Sequence, residues 1–200
     1  MRAAFENLDP MTRWLAVGTA LALLFQYGHF LEHVIQVAAW IGGHTQSAYM
    51  TEIGMQLTHM LGQVFFGQEG PERMHRLGME ALHLFGNAVF FVGVWGLWHF
   101  VKSPVMRVAL FVQSFHLGEH VLLTFTAYTF DTSIGFSTLF GYPMTDFVSV
   151  AFRVWWHFLF NAIPTTLCTI ALVRAYQDRP TAGYAVEIPT AEFLRARLPS

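Results

Sequence analysis

Cysteine is nearly missing from this chain: Cys168 stands alone in an apolar run, which excludes an internal disulfide and any metal site built from several thiolates. A metal, if one is held, must be held by nitrogen and oxygen. Charge is scarce too. With 12% charged residues against 54% hydrophobic ones, the composition lies far outside that of a soluble domain, so lipid is the expected solvent for most of the chain. A net charge of −2 supplies no basic footprint, and the eleven Lys and Arg residues are scattered over termini and connections, which sets nucleic-acid binding aside. Histidine is what the sequence has in excess. Ten of them in a chain of 200 residues need explaining, because ionised groups near mid-membrane cost about 2.5–3.5 kcal/mol each on insertion scales.

The hydrophobic pattern predicts an all-α fold, an integral membrane four-helix bundle forming a single transmembrane domain over residues 1–200. The expected spans run from about Met11 to Ile41, Pro71 to Val101, Pro104 to Phe130 and Pro143 to Tyr176, with Pro164 as a kink and a polar tail over 177–200. The first is too long for a signal peptide's apolar stretch. Four crossings put both termini on one side. Arg2, Arg13, Lys102, Arg107, Arg174, Arg179, Arg195 and Arg197 fall on that side, against Arg73, Arg76 and Arg153 opposite, so the positive-inside rule makes both termini cytoplasmic. The long connection from Gly42 to Gly70 carries Tyr49, Met50, Ile53, Met55, Leu57, Met60 and Leu61 at helical spacing, which suggests a helix lying on the outer surface or an ordered loop packed over the bundle.

An internal repeat is the main signal. Phe25–Val34 (FQYGHFLEHV) aligns with Val112–Val121 (VQSFHLGEHV) at an offset of 87 residues, with five identities in ten, four of them polar. His83–Ala88 (HLFGNA) aligns with His157–Ala162 (HFLFNA) at an offset of 74, as does Phe66-Gly67 with Phe140-Gly141. The expected repeats cover about 11–102 and 104–176, each a two-helix hairpin, related as parallel repeats by an axis along the membrane normal.

On a helix, positions i, i+3 and i+4 share a face, so His29, Glu32 and His33 converge, as do His116, Glu119 and His120. His33 lies about eight residues before the outer end of its span and His83 about twelve into the next; at 1.5 Å per residue both fall roughly 12–18 Å from one interface. His120 and His157 repeat the count. All eight groups can then occupy one layer, in the outer half to middle of the bilayer. Six imidazoles and two carboxylates predict a dinuclear centre. Two iron ions suit the mixed donors best, with copper, zinc or manganese as alternatives. Gln26, Asn87, Gln113 and Asn161 lie one turn deeper, placed to orient the metal-bound rings or to bond across helices as glue.

The two halves also differ. Glu80 precedes His83 by one turn where Arg153 precedes His157. Arg153 is expected to pair with Glu80 or with Asp146, and Glu80 alternatively to serve as ligand or proton relay. His44, His59, His75 and His99 read as solvated or interfacial. His-x-x-Glu-His resembles the inverted zinc-protease signature over five residues per copy, but a duplicated version within short membrane helices does not fit those large soluble enzymes. The leading expectation is a membrane oxidoreductase acting on a small or lipid-soluble substrate, served by an electron donor. Two alternatives stand behind it: a b-type haem electron-transfer subunit, and a metal-binding accessory subunit of a membrane complex or metal transporter.

Overall fold

A computed structural model describes residues 9–142 and 147–178, and every regular element among them is helical. Helix α1 (Pro10–Ile41) is followed by α2 (Glu52–Phe66), α3 (Pro71–Phe100), α4 (Pro104–Phe130), a 3-10 turn at Phe136–Thr138 and α5 (Phe147–Gln177). Of these, α1, α3, α4 and α5 are long and apolar enough to cross a membrane. Proline opens α1, α3 and α4 at a position where its missing N–H leaves no bond unmade. Asp9 and Ser103 cap α1 and α4 by accepting from the backbone N–H of Thr12 and Met106. Pro164 breaks nothing: α5 runs continuously through it. The expected start at Pro143, Asp146 as a charge partner, and the terminal arginines Arg2, Arg179, Arg195 and Arg197 lie outside the described residues.

The four long helices close round a common interior, α1 and α4 each lying between α3 and α5. Neighbours run antiparallel: Gly93 of α3 backs onto Ala22 and Leu23 of α1, whereas Gly86, earlier in α3, backs onto His29, later in α1. Leu21, Phe111, Phe125 and Val148 point outward and stay exposed, as lipid-facing side chains do. The interior divides into two zones. Toward the short turn between α3 and α4 it is apolar, built from Leu23, Phe90, Val94, Leu97, Met106, Ala109, Cys168 and Ala171. Toward the two long connections it is largely polar, with a second, smaller apolar cluster of Val37, Val150 and Val154 packed against Trp40, Trp155 and Phe158.

Neither long connection stays outside the bundle. Thr51, the N-cap of α2, bonds to Glu32, nine residues and so about 14 Å before the end of α1 at 1.5 Å per residue. Ser137 bonds to Glu119, eleven residues and about 16 Å before the end of α4. Both connections therefore fold back beside the helix they leave. Helix α2 does not lie free on a surface; it packs along the first half of α3 through Thr58 and Gly62, while Gly54 backs onto Glu32 of α1. A Cβ on Gly78 would stand 2.2 Å from the Thr58 carbonyl oxygen, so the two backbones touch as small-residue crossings allow.

Candidate metal centre

Six histidines from four helices meet in the polar zone. Helix α1 contributes His29 and His33, α3 His83, α4 His116 and His120, and α5 His157. The i, i+4 pairs set their ring centroids at the same spacing, 4.7 Å for His29 and His33 and 4.7 Å for His116 and His120. The cross-helix spacings match in the same order. His29 to His83 is 6.2 Å and His116 to His157 is 5.8 Å. His33 to His157 is 5.8 Å and His120 to His83 is 5.5 Å. His83 and His157 face one another at 5.5 Å. Five of the rings are buried, and His29 alone is partly exposed.

Hydrogen bonds orient several of these rings. His83 Nδ1 is 2.8 Å from the Met79 carbonyl oxygen and His157 Nδ1 is 2.9 Å from that of Arg153, so each donates to an acceptor one turn back. His33 Nδ1 lies 2.9 Å from Gln36 Oε1. In each case Nε2 is left carrying the lone pair. His33 Nε2 then meets His29 Nε2 at 3.2 Å, while His157 Nε2 and both nitrogens of His120 are buried with no hydrogen-bond partner. Buried ring nitrogens without partners are costly in an apolar bundle.

The carboxylates take other partners. Glu32 accepts from the Thr51 N–H at 2.8 Å and from its hydroxyl at 2.7 Å. Glu119 accepts from the Ser137 N–H and the Trp156 indole, each at 2.6 Å, and keeps His116 Nδ1 at 3.9 Å. Both glutamates thus face the folded-back connections, where the helical spacing alone had placed them among the rings. The four amides pair across helices. Gln26 donates to Asn161 at 3.0 Å and to Thr165, and Gln113 donates to Asn87 at 3.1 Å. Asn87 and Asn161 each donate back to the carbonyl of the histidine four residues earlier. Only Asn161 reaches a ring, with Nδ2 3.3 Å from His116 Nε2. On the other side of the cluster, Arg153 meets Glu80 at 3.2 Å, and Ser133 donates to the same carboxylate oxygen at 2.7 Å.

The sequence model of a known family covers residues 2–195. The chain belongs to DUF6008, a family of unknown function. No curated protein and no solved structure matches it. The site of this DUF6008 chain is therefore to be read from its own geometry.

Among the described residues, no group of three or more His, Cys, Asp or Glu side chains is closed tightly enough to hold a metal ion with the side chains as they stand. The rings face each other without sharing one centre. A cavity of about 30 Å³, bounded by Gln36, Tyr49, Met50, His83, Arg153 and His157, adjoins the cluster and is large enough to hold water. His44 bonds Ser47, His99 packs on Trp95 and Phe100, and His59 and His75 are exposed, all away from the cluster. Sequence spacing did not reveal Gln36, Thr51, Ser133, Ser137, Trp156 or Thr165. Only Gln36, three residues after His33, carried a local signal.

Proposed function

We propose that this chain is a membrane-embedded metalloprotein in which the six imidazoles hold a pair of metal ions, and that it works as an oxidoreductase on a small, membrane-dissolved substrate. One observation carries the reading: ring nitrogens freed or left unpartnered in one buried cluster, spaced as shared ligands would be. Two imidazoles on one tetrahedral metal, with bonds of about 2.0–2.1 Å, hold their centroids roughly 5 Å apart. The rings here span 4.7–6.2 Å, so rotation about side-chain torsions, without helix movement, would bring them onto metal. Backbone carbonyls of Met79 and Arg153 and the Gln36 amide would fix the tautomers that metal-bound histidines need.

Both glutamates being engaged elsewhere, the donor set becomes imidazole alone, which suits copper as well as iron. Such an ion supplies one-electron chemistry when bound; the chain supplies the dry, nitrogen-lined chamber. A porphyrin suits the site less well, since the space beside the rings is about 30 Å³. The matched ring spacings and the paired Gln–Asn bonds support a tandem duplication over about 11–102 and 104–176, its axis passing through the cluster. By the balance of Lys and Arg, the folded-back connections face outward and the termini the cytoplasm. An electron donor from the same membrane would complete the cycle.

Elemental analysis with an optical and paramagnetic-resonance spectrum of the purified protein tests this. Bound iron or copper that falls away in His120→Ala and His157→Ala is the expected result. Protein that holds no metal as purified, and takes up neither Cu²⁺ nor Fe²⁺ on titration, would overturn it.

A further inference from the structure

The surroundings of the imidazole cluster differ from one end to the other. Toward the turn between α3 and α4 lies the apolar zone, where a hydrated ion would lose its water with nothing to replace it. Toward the connections, a cleft of about 380 Å³ opens between α3, α5 and the second connection, walled by Arg76, Glu80, Asp131, Thr132, Ser133 and Arg153. It leads from the exposed Asp131 and Thr132 to the fully buried Glu80. Asp131 is engaged by Arg73 and Arg76. Glu80 is only half engaged: one carboxylate oxygen accepts from Ser133 and Arg153, and the other is buried with no hydrogen-bond partner.

The inner end of this cleft meets the 30 Å³ cavity beside His83 and His157, because Met79 and Arg153 line both spaces. These two residues are equivalent in the repeat. Each stands four positions before its histidine and lends its backbone carbonyl to that ring's Nδ1. Both side chains are unbranched, so either can turn aside while the carbonyl keeps the ring in place. Past them, His157 Nε2 is buried without a hydrogen-bond partner.

Ionisable groups inside a membrane bundle that pair with one another and line a cavity mark ion pathways. We infer that the cleft is the loading route of the cluster, by which a hydrated divalent metal cation enters from the side of the connections, exchanges water for the free oxygen of Glu80, and passes between Met79 and Arg153 to His83 and His157. One carboxylate oxygen is a weak hold, and the imidazoles are the better ligands for iron or copper, so the ion is handed inward. The inference rests on the metal-centre reading for the cargo, but not for the route.

The test uses the full chain in lipid nanodiscs and needs metal in one arm only. In the metal-free arm, Met79→Cys is treated with a trimethylammonium-bearing methanethiosulfonate. It should react at least tenfold faster than the native Cys168, which is buried in the apolar zone. Relative to their rates with a free thiol, the cationic reagent should outrun its sulfonate analogue several-fold, and Glu80→Gln should remove that preference. Thr132→Trp, a plug at the exposed end of the cleft, should slow the labelling several-fold. Ala48→Trp, at an exposed position on the opposite wall of the small cavity, should not. In the second arm, the same two plugs should act in the same order on the rate of Cu²⁺ uptake by the chain without Met79→Cys. Labelling at position 79 no faster than at Cys168, no preference for the cation, or slowing by Ala48→Trp in place of Thr132→Trp would each overturn the route. Because the labelling needs no metal, failure of the route is distinguishable from failure to bind iron or copper.

Discussion

Arg153 of α5 reaches across the bundle to hold its guanidinium 3.2 Å from the carboxylate of Glu80 on α3, and Glu80 is fully buried. The pair stands where the two halves of the sequence differ in charge, one turn toward the connections from His83 and His157. Breaking it leaves a buried charge without its partner, which costs about 3–5 kcal/mol, whereas replacing both partners by apolar groups is often near neutral. Arg153→Met and Glu80→Leu should each lower the thermal midpoint in detergent sharply, and the double variant should recover most of the loss. A double variant no better than the singles would mean that the two groups act independently.

Glu32 and Glu119 accept from the backbone N–H groups of Thr51 and Ser137, so their expected role is to hold the folded-back connections. Glu32→Ala and Glu119→Ala should speed amide hydrogen exchange over residues 44–54 and 133–141 respectively. Metal content should persist in both variants. Loss of metal with unchanged exchange would return the glutamates to the ligand set.

That difference explains how much of the site was legible beforehand. His29 with His33, and His116 with His120, share a helix face by spacing alone, and counting 1.5 Å per residue sets His83 and His157 at the same depth. The backbone partners of the glutamates lie 18 and 19 residues away across irregular chain, where no periodicity fixes position. The amide pairs were half legible: their depth followed from helix geometry, but whether an amide turns to a ring or to the facing amide depends on rotamers. Gly86 and Phe160 could be aligned from the repeat, yet only packing reveals that the glycine backs directly onto the His29 ring while the phenylalanine stacks on His116.

The Gln26–Asn161 and Gln113–Asn87 bonds should behave as two matched interhelical clamps. Gln26→Leu leaves Asn161 Oδ1 without its donor, and Asn161→Leu leaves Gln26 only its bond to Thr165. A double-mutant cycle on either pair should return a coupling of about 0.6–2 kcal/mol, the range found for hydrogen bonds between membrane helices. Crossing the pairs, as in Gln26→Leu with Asn87→Leu, should give near additivity. Chemical denaturation in mixed micelles measures both.

A packing constraint set by backbone lies at Gly78. Its missing Cβ is what lets α2 lie against α3, because any side chain there would stand 2.2 Å from the Thr58 carbonyl and 2.9 Å from Gly62. Those contacts are backbone, so no rotamer change can relieve them, and the helices would have to separate. Gly78→Val is therefore expected to undock α2 as a unit. The chain from Thr51 onward would come free with it, and Glu32 would lose the partners that α2's first turn supplies. Limited proteolysis should then cut within residues 42–66 while the four long helices stay protected, and the apolar groove between α1, α2 and α3 that Leu57, Met60 and Leu61 help to wall should lose its outer side. Protection of the loop in Gly78→Val equal to that of the unmodified chain would show that α2 is held chiefly by its own apolar side chains, not by the small-residue crossing.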